Sequence, residues 1–167
     1  MNREFLEDDD SPRWVTSFDV HCEKPISPQG EVGKSRPKLD ISIRSGKRPF
    51  YPKFVFEAKR LRHDDTESVD YFGEEGMECF WNESGYPVNI FREAGMLGYI
   101  QDKNATHWVD WLKKHFEKRR STLHVCNDTG WEPTIQFKKI QHTFCTQHQP
   151  IVDEERIFIF HLLLPFC

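Results

Sequence analysis

Residues 39–61 read LDISIRSGKRPFYPKFVFEAKRL. Leu39, Ile41 and Ile43 alternate with Asp40, Ser42 and Arg44, the two-residue period of a half-buried strand. Ser45, Gly46 and Pro49 supply turn chemistry. Residues 50–58 then return as a second strand, with Pro52 near its start, where a missing N–H is tolerated. The pair predicts a hairpin. On its second strand Phe54, Phe56 and Ala58 share one face and Val55, Glu57 and Lys59 the other, so the aromatic pair is core and Glu57 neighbours Lys59. A hairpin of this length brings Asp40 towards the end of its partner, close to Glu57. Two carboxylates and one amine therefore converge at one end of a sheet.

Outward from the hairpin, residues 14–22 (WVTSFDVHC) are rich in β-branched and aromatic residues and predict a strand. Residues 23–38, with Pro25, Pro28, Gly30, Gly33 and Pro37, predict a loop. Thr66 reads as a helix N-cap, with Tyr71, Met77, Cys79 and Phe80 on the helix that follows. Gly85 and Pro87 break the chain, and residues 95–100 predict a further strand whose glycines would let another backbone come close. In residues 105–120 Trp108, Trp111, Leu112, His115 and Phe116 recur at helical spacing, with Lys113, Lys114, Lys118 and Arg119 off that stripe. Residues 122–126, 134–145 and 156–164 predict strands. This order specifies a mixed α/β (α+β) domain: a central mixed sheet flanked by helices, with extra strands at the C-terminal end.

The chain has 167 residues, enough for one domain with its own core. We expect an acidic tail over 1–12, containing Glu7-Asp8-Asp9-Asp10, and a single domain over 13–167. An aromatic content of 14%, with 14 Phe and 5 Trp, excludes a natively disordered chain. The net charge of -4 carries no whole-chain signal for nucleic acid, yet basic residues cluster over 44–62, 113–120 and 138–139, where phosphates could be gripped locally. No stretch approaches about 20 apolar residues, and the opening MNREFLEDDDS lacks the apolar core of a signal peptide. Five cysteines without a CxxC pair fit free thiols in a reducing compartment, so a cytoplasmic location with no membrane contact is expected.

The converging set has a chemical rationale. Phosphodiester cleavage calls for a hard cation that neutralises phosphoryl oxygens and acidifies a bound water, and Mg²⁺ takes one or two carboxylates with waters and substrate oxygens. Asp40 and Glu57 supply carboxylates, the Ala58 carbonyl a third ligand, and Lys59 an amine that orients the water or stabilises developing charge. Asp40, 16 intervening residues and Glu57-Ala58-Lys59 resemble the Asp…(Asp/Glu)-x-Lys signature of the PD-(D/E)xK nuclease superfamily. The order of elements, from residue 14 to about 120, is similar to that family's core of a helix, a three-strand meander, a helix and a further strand. The family core opens on a helix that often carries another acidic residue, a place for Glu4 or Glu7.

The resemblance implies a restriction endonuclease-like core. It also implies metal binding by Asp40 and Glu57, catalytic assistance by Lys59, Mg²⁺ with Mn²⁺ as substitute, and DNA as substrate, as in restriction and bacterial defence nucleases. A homodimer or a larger defence complex is the implied assembly. Gln101 stands where family members carry a supporting glutamine or glutamate. Arg60, Arg62 and His63, with Lys113 and Lys114, are candidates for phosphate contacts, set against ordinary solvated charge. Two alternatives remain at this stage. One is a catalytically inactive subunit of the same fold that binds nucleic acid or scaffolds a complex. The other is a zinc-stabilised module using His142, Cys145 and His148, with His124, Cys126, His21 and Cys22 nearby in type, although alternation turns Cys145 away from the two histidines.

Overall fold

A computed structural model describes residues 18–25, 38–45, 52–62, 70–81, 92–134, 139–150 and 155–165. The expected acidic tail, the opening of the first strand before Phe18, most of the loop over 23–38, His63, Thr66 and the break at 85–87 lie outside the described residues. Strands β1 (Phe18–Pro25), β2 (Lys38–Ser45), β3 (Pro52–Leu61) and β4 (Glu93–Ile100) precede helix α1 (Ala105–Lys118). Strands β5 (Glu132–Pro133), β6 (His142–His148) and β7 (Ile157–Pro165) follow it. They form one seven-stranded sheet in the order β1-β2-β3-β4-β7-β6-β5. The first three strands run antiparallel, β4 lies parallel to both β3 and β7, and β6 returns antiparallel to β7 and to β5. The mixed α/β class thus holds, with α1 the α-helix among the described residues.

The central strands explain themselves by composition. Strands β4 (EAGMLGYI) and β7 (IFIFHLLLP) are apolar on both faces, as expected for parallel strands covered on two sides. On one face Val55, Leu61, Met96, Ile100, Ile159 and Leu163 pack with Phe72, Met77 and Phe80 and with Trp108, Leu112 and Phe116 of α1. Burying each large side chain of this kind stabilises by about 1.5–3 kcal/mol. On the other face Phe56, Leu97, Phe160 and Leu162 pack with Ile41, Ile43, Phe54 and Tyr99. Gly95 is required there, because a Cβ would fall 2.2 Å from the Phe56 ring. A side chain, rather than another backbone, makes the close approach that its sequence suggested.

Helix α1 starts where Asn104 accepts from the backbone N–H of His107 at 2.8 Å. Its buried residues are Trp108, Leu112 and Phe116, with Lys113, Lys114 and Lys118 exposed on the far side. No described helix is long and apolar enough to cross a membrane.

Three expected elements come out differently. Residues 70–76 are turns followed by a single 3₁₀ turn, Met77–Phe80, in place of a helix. Gly76 explains this, since its backbone folds so tightly onto the preceding turn that a Cβ would lie 2.0 Å from the Asp70 carbonyl oxygen. Residues 122–126 form turns and one bridge, Val125 to His148, in place of a strand, because Arg120 curls the chain by donating to the carbonyls of Cys126 (3.0 Å) and Thr129 (2.7 Å). The strand expected over 134–145 is displaced to β6, with Cys145 near its middle.

Thr146, His148 and His161 are fully buried on the α1 side of the sheet. Burial holds the His148 imidazole down at about 4; the Leu123 carbonyl it bonds opposes this, and His124 and Arg120 add to it. Burial, and then His148, hold His161 well below the ordinary 6.5. Below pH 6.5 these two histidines therefore bind more protons in the unfolded chain than in the folded one, and what they contribute to stability falls as pH falls. The His148 contribution is complete above about pH 6.5 and is lost on the way down to about 4, on the order of 3 kcal/mol. Urea unfolding between pH 7.5 and 5 should show a falling midpoint that is shallower in His148→Gln. Equal slopes in the two proteins would assign the effect elsewhere.

Candidate active site

Ile41 stands opposite Phe56 and Ile43 opposite Phe54. Asp40, one residue before Ile41, consequently comes level with Glu57, and antiparallel partners point to the same face. The Ala58 N–H donates to Asp40 Oδ2 at 2.8 Å, so the carboxylate makes the bond at the end of the hairpin. Glu57 is only 6% exposed, and its Oε1 lies 3.2 Å from Lys59 Nζ. Asp40 is half-buried. The expected convergence of Asp40, Glu57 and Lys59 is present.

Segment 70–81 packs with Val55 and Leu61, on the face of β3 that carries Glu57 and Lys59. Cys79, 8% exposed, sits on the 3₁₀ turn within the electrostatic reach of all three residues. Burial pushes its thiol well above the ordinary 9.0; the Glu57 carboxylate adds to this, Lys59 opposes it, and Asp40 adds a little more. A protonated thiol so placed is an apolar wall rather than a nucleophile. Ser42, two residues along β2 and on the same face as Asp40, is fully buried with a hydroxyl that has no hydrogen-bond partner among the described residues.

Compared with protein-family models, curated proteins and solved structures, the chain finds no match.

The site's chemistry suits a hard divalent cation better than a soft one. The donors are two carboxylates, Asp40 and Glu57, and the backbone oxygen of Ala58, all of the oxygen type that Mg²⁺ or Mn²⁺ prefers, and Mg²⁺ needs no more than one or two protein carboxylates. Among the described residues no three His, Cys, Asp or Glu side chains gather as a ligand set. The zinc alternative fails at His148 in particular: Nδ1 bonds the Leu123 carbonyl at 2.6 Å and Nε2 the Thr146 hydroxyl at 2.7 Å, so neither nitrogen is left for a metal. Cys145 packs with the opposite core, as alternation required.

The remaining candidates scatter. Gln101 is exposed and follows Ile100, the partner of Leu61, so the register sets it roughly 10 Å along the strand from Gly98, which pairs with Lys59. It also has the opposite parity to Met96, the neighbour of Glu57. The structure does not bring it to the cluster. Arg60 and Arg62 are exposed at the end of β3, Arg60 facing away from Lys59. Lys113 and Lys114 lie exposed on α1, and His63 is outside the described residues. Cys79 was not among the expected site residues, and no spacing could have singled it out, because its approach depends on the tight turn at Gly76.

In the folded protein, iodoacetamide at pH 8 should alkylate the exposed Cys22 readily and Cys79 at least roughly tenfold more slowly. Peptide mass spectrometry reads both, and comparable rates would contradict the buried, protonated thiol.

Proposed function

We propose that this chain is a metal-dependent endonuclease that hydrolyses phosphodiester bonds of DNA, on a restriction endonuclease-like core of the PD-(D/E)xK type. The observation that carries the reading is the meeting of Asp40, Glu57 and Lys59 at one end of the hairpin, with Ala58 N–H bonded to Asp40 and Lys59 paired to Glu57. The strand order lends further support: three antiparallel strands, then a connecting segment, then β4 parallel to β3.

Asp40, Glu57 and the Ala58 carbonyl would hold Mg²⁺ or Mn²⁺, which when bound neutralises phosphoryl oxygens and lowers the pKa of a water. Asp40 is oriented for this by the Ala58 N–H, which bonds its Oδ2. Lys59, held at 3.2 Å by Glu57, donates towards the attacking water and towards the phosphoryl oxygen where negative charge builds. The water oxygen bonds to phosphorus as one ester bond breaks, the departing oxygen gains a proton and the water loses one to solvent. Cys79 keeps bulk water off one side of the pair, which strengthens its electrostatics. Arg60, Arg62, Lys113 and Lys114, all exposed, supply sequence-independent contacts to DNA phosphates.

Supercoiled plasmid, linear duplex and single-stranded DNA, each with Mg²⁺, Mn²⁺ or EDTA, test the reading. Cleavage should require metal and fall by at least about 100-fold in Lys59→Ala and in Glu57→Ala. Undiminished cleavage by Glu57→Ala would remove the proposal. DNA binding without cleavage under either metal, unchanged by Lys59→Ala, would select the non-catalytic binding or scaffolding subunit instead.

A further inference from the structure

Four hydrogen bonds cross the core on the α1 side of the sheet. Tyr71 Oη lies 3.0 Å from His161 Nδ1. His161 Nε2 lies 2.9 Å from Thr146 Oγ1, and Thr146 Oγ1 lies 2.7 Å from His148 Nε2. His148 Nδ1 lies 2.6 Å from the Leu123 carbonyl oxygen. Tyr71, Thr146, His148 and His161 are all sealed from solvent.

The last bond orients all the others. A carbonyl oxygen can only accept, so His148 carries its proton on Nδ1. In a neutral ring Nε2 then has a lone pair and accepts from the Thr146 hydroxyl. That hydroxyl has a single hydrogen, so its oxygen accepts from His161 Nε2–H. His161 Nδ1 is left as an acceptor, and the Tyr71 hydroxyl donates to it. With both rings neutral, the reverse direction would require the Leu123 carbonyl to donate, and only one arrangement of protons satisfies every group.

The two histidines also hold both ends of one segment. Tyr71 stacks on His161, with centroids 5.9 Å apart and planes at 28°. Trp81 stacks on His148 at 5.2 Å and 24°. Between these anchors the turn closes through Met77 N–H to the Tyr71 carbonyl (3.0 Å) and Cys79 N–H to the Gly76 carbonyl (3.1 Å), and Cys79 is packed into the core with Val55 and Leu61.

We infer that Tyr71, His161, Thr146 and His148 form a one-way hydrogen-bond chain with fixed tautomers that clasps segment 70–81 at both ends and holds Cys79 in the core with Val55 and Leu61, on the face of β3 that carries Glu57 and Lys59. These four are positioning residues, and the inference stands whether or not the cluster is catalytic. It assigns His148 as the Nδ1–H tautomer and His161 as the Nε2–H tautomer.

Two measurements test it. Long-range ¹H–¹⁵N correlation spectra of the wild-type protein at pH 7 should show both rings neutral, His148 protonated on Nδ1 and His161 on Nε2. The opposite tautomer or a charged ring at either position would overturn the chain. Thr146→Val keeps the side-chain shape but breaks two links, whereas Thr146→Ser keeps the hydroxyl. Alkylation of Cys79, followed by mass spectrometry, should quicken about tenfold in the first and stay within about twofold of wild type in the second. A folded Thr146→Val protein with Cys79 as protected as wild type, or a Ser variant as reactive as the Val variant, would overturn the clasp. Should Thr146→Val not fold, the wild-type tautomers and the Ser variant still decide.

Discussion

The register of β2 on β3, with Ile41 opposite Phe56, determines where the polar atoms of the candidate site come to lie. A slip of one residue would exchange the faces of a strand, sending Phe54 and Phe56 to the α1 side and Glu57 into the cluster of Leu97, Phe160 and Leu162 on the other. The aromatic face prevents this. Phe54 lies 4.8 Å from the Phe56 ring centroid and 5.9 Å from that of Phe160, and Ile41 and Ile43 pack with the same cluster. Charge on one face is thus positioned by hydrophobic packing on the other.

The α1 side is unusual in what it buries. Beside the aliphatic and aromatic core it holds two histidines, a threonine and a tyrosine hydroxyl, each bonded. Leaving such a group unbonded in the core costs about 1–3 kcal/mol, so a linked set tolerates the loss of any one member poorly. Trp131 closes over this set, its ring 4.2 Å from His161 and 5.5 Å from both Phe116 and Phe144. The polar links give the core direction, while the aromatic rings exclude the water that would compete for those links.

Much of the hairpin and of α1 was legible because both obey simple periods. Alternation from Leu39 to Arg44 and from Phe54 to Lys59 is enough to place Asp40, Glu57 and Lys59, and the stripe of Trp108, Leu112 and Phe116 is enough to face α1 inward. The segment around Tyr71 misled because its apolar spacing also fits a helix, whereas the chain follows the backbone packing that Gly76 permits. Residues 122–126 have strand-like composition, but the carbonyls that Arg120 holds bend them into turns. His142, Cys145 and His148 suggested metal by residue type alone; His148 instead spends both nitrogens on the core. Partnerships between distant residues, such as Tyr71 with His161, leave no local pattern to read.

The two halves of the candidate site are closed over very different lengths of chain. Asp40 and Ala58 are 18 residues apart in sequence, so their bond belongs to a hairpin that can form as a local unit. Tyr71 and His161 are 90 residues apart, and their bond awaits β7, whose parallel seat on β4 requires a long crossover. During synthesis the carboxylates can therefore be assembled and hydrated well before segment 70–81 and its Cys79 are fixed on the same face of the sheet. The charged part of the site follows from short-range chain geometry, and its dry wall becomes a late product of topology.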